Sequence, residues 1–191
     1  MQHTLNLVAS LNRTGIFQKR GFFQWINFVF NRVDESRVKE IGPDRAAAEW
    51  ILRLGGTVKF FSLETWSTDY NRLPSGSRDE LKLEAIDAAG ISMTDNGLEH
   101  LAGLRKLQVL NLSGCKYLGD GGLVHLAHVK DSLKHLDLSC IPSITEKGLP
   151  SLYCLSVLEA LNLADTPGIK HRIDSLNNLK SSLPLCQIRE D

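Results

Sequence analysis

From Leu83 onward one hydrophobic phrase recurs five times: LEAIDAAG, LQVLNLSG, LKHLDLSC, LEALNLAD and LPLCQIRE. Its leading leucines are Leu83, Leu107, Leu133, Leu158 and Leu183, so the steps are 24, 26, 25 and 25 residues. Apolar residues alternate with polar ones inside each phrase, the period of a strand, and then return at helical spacing before the next phrase. A repeat of this length, one strand plus a helical return, is the signature of leucine-rich repeats. One such unit cannot bury its apolar face alone, whereas a stack shares a continuous core. The pattern predicts an α/β leucine-rich repeat solenoid of about four repeats plus a terminal strand.

The inward positions of the five strands are Ile86, Leu110, Leu136, Leu161 and Cys186. Two outward rows follow from the two-residue period: Asp87, Asn111, Asp137, Asn162 and Gln187, and beside them Ala85, Val109, His135, Ala160 and Leu185. Helical returns are expected after Thr94-Asp95, Gly119-Asp120 and Thr145-Glu146, with the acidic residue at the positive end of the helix dipole. The fourth return, around Gly168 to Ile173, lacks that acid. A polar row beside a mildly apolar one on an inner sheet surface suits protein docking, and we single out Asp87, Asn111, His135, Asp137 and Asn162 as candidate partner-binding residues.

Ahead of the repeats the pattern is irregular. Phe22, Ile26, Val29 or Phe30, and Val33 fall at helical spacing, flanked by Phe23, Trp25 and Phe28. Such a helix can cap the open end of the stack or touch a membrane or partner. Gly42-Pro43 opens a second helix with Ala47, Trp50, Ile51 and Leu54 on one face, and Gly55-Gly56 ends it. TVKFFSL reads as a strand, residues 64–73 as a short helix, and LPSGSRDE as a turn. The expected organisation is a leader at 1–20, a mainly helical capping domain at 21–76 and a repeat domain at 77–191.

Composition narrows the possibilities. Hydrophobic residues make up 42% of the 191-residue chain and its formal net charge is zero, which removes any global electrostatic case for nucleic-acid binding. No apolar run reaches the roughly 18–20 residues that span a bilayer. Cys115, Cys140, Cys154 and Cys186 form no CxxC pair and read as reduced, core-facing residues. Residues 1–20 carry Arg13, Lys19 and Arg20, and the first acid of the chain is Asp34. We read this segment as a mitochondrial transit peptide, the alternative being a plain basic tail.

Catalytic constellations are not suggested. His135 and Asp137 share a strand face but have no nucleophile beside them, and no phosphate-binding loop or H-E-x-x-H motif occurs. His125 and His128 lie three apart on a helical return without a thiol or carboxylate at ligand spacing. We expect a protein that is not an enzyme and has no small-molecule substrate.

The segment FFQWINFVFNRVDESRVKEIGPDRAAAEWILRLGG, followed by DYNRLPSG and LEAIDA, resembles the ATP synthase subunit s (coupling factor B) family over residues 22–191. VDESRVKEIGPDRAAAEW is the most specific part. The resemblance implies a mitochondrial protein on the matrix side of the inner membrane that regulates proton conduction through the membrane sector of ATP synthase. The family is similar to the distal membrane-arm assembly factor of respiratory complex I, so complex I assembly is the alternative. A leucine-rich adaptor of a ubiquitin ligase is a further alternative, although residues 22–75 do not look like an F-box module. The resemblance also implies a magnesium ion near the N-terminal domain. Its backbone ligands would come from the loops at Gly42 and at Ser75, which stands where the family pattern has threonine.

Overall fold

The computed structural model describes residues 25–78 and 80–191. The expected leader at 1–20, with Phe22 and Phe23, lies outside them. A single six-stranded sheet runs β1 (Thr57–Phe60), β2 (Leu83–Asp87), β3 (Val109–Asn111), β4 (His135–Asp137), β5 (Ala160–Asn162) and β6 (Gln187–Arg189), in sequence order. Strands β2 to β6 pair in parallel, while β1 pairs antiparallel with β2, setting Val58 opposite Ile86.

The repeat spine forms as expected through four units. Ile86, Leu110, Leu136 and Leu161 pair rung to rung and are buried. The fifth rung is displaced by two residues: Leu161 faces Ile188, not Cys186, and Ala160 faces Gln187, not Leu185. The cause lies in the returns. The first three are largely 3-10 helix, at Asp95–Leu101, Val124–Val129 and Leu149–Leu152. The last is a true α-helix of 11 residues, Arg172–Ser182. An α-helix advances less per residue than a 3-10 helix, so more chain is needed to cover the same path. Leu183 still reaches the core, but Leu185 is 86% exposed and Cys186 half-buried.

Among the cysteines only Cys115 is a core residue; Cys140 and Cys154 are exposed, and all four are free thiols. The reading of Cys140 as a core residue fails because the chain turns there. Gly90, Gly114, Cys140 and Asp165 occupy one position of successive repeats, and each takes positive φ (69°, 68°, 58° and 52°). That left-handed corner points the side chain out of the spine, and the first two repeats fill it with glycine.

N-terminal to the sheet, α1 (Glu35–Ile41) and α2 (Pro43–Arg53) meet at Gly42. Asp34 caps α1 by accepting from the Ser36 and Arg37 amides. Ala47, Trp50 and Ile51 of α2 are buried against the first repeat. Asp44, placed in the first turn of α2, is 3% exposed and does more than favour the helix dipole. Its carboxylate accepts from the Leu83 amide at 2.9 Å and from Lys82 Nζ at 3.3 Å, tying α2 to β2. The short helix expected over 64–73 shrinks to one turn, Tyr70–Arg72, because Ser67 and Val58 exchange backbone hydrogen bonds along β1.

Residues 25–31 are helical. Of the expected apolar stripe, Ile26 and Val33 are half-buried. Phe28, Val29 and Phe30 are about half exposed, whereas Asn31 is fully buried. Its amide donates to the Asn27 and Ser92 carbonyls at 2.7 and 3.0 Å, and its Oδ1 accepts from the Thr94 amide at 3.1 Å. The Asn31 side-chain amide thus joins this helix to the loop after β2.

Candidate docking face

The outward polar row is assembled as expected on β2 to β5, but its side chains are engaged with one another. Asn111 Nδ2 donates to Asp87 Oδ1 at 3.0 Å, and Asn162 Nδ2 donates to Asp137 Oδ2 at 2.9 Å. Each of the four also accepts from the amide two residues ahead: Ala89 to Asp87, Ser113 to Asn111, Ser139 to Asp137 and Ala164 to Asn162. These are Asx turns that fold the chain out of each strand. Asp137 further accepts from Ser139 Oγ at 2.6 Å. The polar row therefore holds the corners of the first four repeats, with Oδ1 of Asp87 and both carboxylate oxygens of Asp137 engaged in doing so.

The neighbouring row is the more open one. His135 and Gln187 are exposed, Val109 and Ala160 half-buried. Ala85 is buried, a methyl between the longer Lys59 and Val109 that pair with it on either side. Lys134 and Glu159 form an ion pair at 3.0 Å across adjacent strands, and Lys59 and Glu84 another at 2.9 Å. Lys134 holds the Glu159 carboxyl below its usual range through that contact. Together β3 to β6 line a groove of about 560 Å³ in which His135, Gln187 and Arg189 supply donors. The two-residue displacement of β6 sets Arg189 beside Asn162, where the sequence pattern had put Gln187, and moves Gln187 beside Ala160.

A second, larger groove of about 1350 Å³ lies between the helix at 25–31, α1 and the returns of the first two repeats. Phe28, Val29, Val33, His125 and His128 line it, with His100 at its edge. The rings of His125 and His128 are 6.1 Å apart. His100 is buried and stacks on Trp50 with ring centroids 4.4 Å apart. Neither ring nitrogen of His100, nor Trp50 Nε1, makes a good hydrogen bond. Burial pushes His100 down to about 4, only partly offset by the nearby Arg32 and Asn31 backbone. His100 is thus neutral, an aromatic spacer rather than a charge. This junction was hidden in the sequence; the two asparagines, Asn27 and Asn31, of an otherwise apolar helix were the one available signal.

Gly42 and the 74–78 loop, expected to hold a metal ion, do come together. Gly42, Gly76 and Ser77 line a void of about 20 Å³, while Ser75 is exposed beside it. The guanidinium of Arg78 lies in this junction and donates to the Lys39 and Glu40 carbonyls. Arg45 donates to the Pro74 carbonyl at 2.8 Å. No group of three or more His, Cys, Asp or Glu side chains suited to a metal occurs among the described residues. A divalent magnesium ion keeps several waters and favours carboxylates. A space for about one water between two guanidinium groups does not fit it.

Comparison with known proteins agrees with this architecture. A family model described as a leucine-rich repeat matches residues 103–127, the second return and its flanks. The chain is 36% identical over 175 residues to a bovine (Bos taurus) protein named ATP synthase subunit s, mitochondrial, covering 90% of this chain and 88% of that one. The human (Homo sapiens) protein of the same name is 36% identical, covering 89% of this chain and 86% of its own. A Drosophila melanogaster protein, distal membrane arm assembly component 2, is 30% identical over 86% of this chain and 62% of that protein. The match to the first two takes in the N-terminal helices as well as the repeats, and the chain belongs to the ATP synthase subunit s family.

Proposed function

We propose that this protein is a non-catalytic coupling or regulatory factor of mitochondrial ATP synthase. In this reading it sits on the matrix side of the inner membrane and affects proton conduction through the membrane sector by docking to it. The observation that carries the reading is the match along nine-tenths of the chain to proteins named as a mitochondrial ATP synthase subunit, 90% in the bovine case. Residues 1–20 would serve as the leader, 21–76 as the cap and 77–191 as the docking body. The partner would lie on the face carrying Asp87, Asn111, His135, Asp137 and Asn162, with His135 as its accessible centre. No described helix is long and apolar enough to cross a membrane, which accords with attachment through a partner.

The test is affinity isolation of the tagged protein from gently solubilised mitochondria. Co-purification of ATP synthase membrane-sector subunits is the expected result. The similarity to distal membrane arm assembly component 2 supports a second reading, assembly of the distal membrane arm of complex I. Recovery of membrane-arm intermediates without ATP synthase would select it.

A further inference from the structure

We propose that Arg78 is a built-in cation that closes the junction between the Gly42 and 74–78 loops to divalent metal ions. Helix α1 ends at Ile41, and its last carbonyls form the negative end of the helix with no partner inside it. A cation belongs there, and in this chain a side chain supplies it. Arg78 Nη2 donates to both the Lys39 and the Glu40 carbonyls. The aliphatic stem of Arg78 lies against Gly42, where an added Cβ would stand 3.3 Å from Arg78 Cγ.

Two further carbonyls at this junction are also engaged. The Gly42 carbonyl accepts from the Ala46 amide at 3.1 Å, and the Pro74 carbonyl from Arg45 at 2.8 Å. Two carboxylates nearby also have partners within the chain. Asp44 accepts from Leu83 and Lys82, and Glu80 accepts from the Ser77 amide at 2.9 Å. A metal ion entering here would have to displace a guanidinium that the chain holds covalently at high local concentration, and would meet Arg45 behind it. The inference concerns the loops alone and is independent of which membrane complex the protein serves.

The test is thermal unfolding and calorimetric titration of the full chain with magnesium chloride, against sodium chloride at matched ionic strength. Wild type is expected to show no saturable response to magnesium. Arg78→Ala, which removes both charge and stem, is expected to melt lower and to gain a saturable rise in melting temperature with magnesium. Arg78→Gln, which keeps an amide donor but no charge, guards against a variant that fails to fold and is expected to gain the same response. Arg78→Lys is expected to stay indifferent. Saturable binding of magnesium by wild type would overturn the proposal. So would folded Arg78→Ala and Arg78→Gln proteins that both ignore the ion.

Discussion

Asp120, at the start of the second return, binds Thr145 of the next one: Oδ1 accepts the Thr145 amide at 2.8 Å and Oδ2 its hydroxyl at 2.6 Å. The same link joins Asp95 to the Gly119 amide at 2.7 Å and Glu146 to the Lys170 amide at 3.3 Å. Acids expected to favour their own helices therefore staple each repeat to its successor. With the Asp–Asn pairs on the sheet side, the first repeat is tied to the second and the third to the fourth at two places besides the strand ladder and the leucine spine, and the second to the third at one. Replacing Asp120 by Ala is expected to cost about 2 kcal/mol, since it strands the Thr145 amide and hydroxyl together. Urea unfolding followed by circular dichroism measures this, and Asp120→Asn should retain part of the stability.

On the sheet face, binding and folding separate between two neighbouring residues. Asp137 accepts three hydrogen bonds, so Asp137→Ala is expected to lose about 1–3 kcal/mol and cannot serve as a clean probe of docking. His135 is exposed and is not part of that network. His135→Glu is expected to leave the unfolding midpoint within about 0.5 kcal/mol of wild type while weakening capture of the membrane complex. Equal capture by the two proteins at matched concentration would remove this face from the docking surface.

At the N-terminal junction Gly97 has no room for a side chain. A Cβ there would stand 2.3 Å from Asn31 Oδ1 and 2.9 Å from the Trp50 ring. Gly97→Ala and Asn31→Ala are both expected to release residues 25–31 while the repeats stay folded. Hydrogen exchange should show faster exchange in that segment, at a local cost of about 1–3 kcal/mol, with little change in the β3 to β5 amides.

The pH dependence follows from His100. Its folded pKa, about 4, lies below the unfolded value of 6.5, so between these values the unfolded chain binds more protons. Stability is full above pH 6.5, falls as the pH drops through this window, and levels off below about 4. The loss from this group amounts to about 3 kcal/mol at most. His100→Phe, which keeps a ring against Trp50, should flatten the curve in that window. An unchanged slope would mean that another group governs acid unfolding.

The left-handed corner offers a gain. Cys140 holds positive φ with an exposed side chain, where its counterparts Gly90 and Gly114 pay no steric penalty. Cys140→Gly is expected to raise stability by about 1 kcal/mol, read as a higher urea midpoint.

Much of this fold was legible in the residues because the leucine period states both the strand positions and the shared core. Four strands, helix α2 with its Gly-Pro entrance, and the inward row Ile86 to Leu161 stand where the pattern puts them. The fifth strand does not, since hydrophobic spacing cannot distinguish a 3-10 return from the longer α-helix that delays Ile188. The polar row was visible in Asp87 to Asn162, but its internal pairing depends on rung-to-rung distances. The capping role of Asn31 was invisible for the opposite reason: the aromatic residues around it carry the stronger signal yet remain outside the core.

Among the described residues, strand β1 runs against all the others and carries a bridge to Ser67 on its outer side, whereas β6 forms the opposite edge with only three residues. The molecule consequently has direction. New coils could be inserted among the parallel strands without disturbing the antiparallel lid, and a foreign strand seeking to extend the sheet from its parallel end would find its hydrogen-bonding partner along Gln187–Arg189.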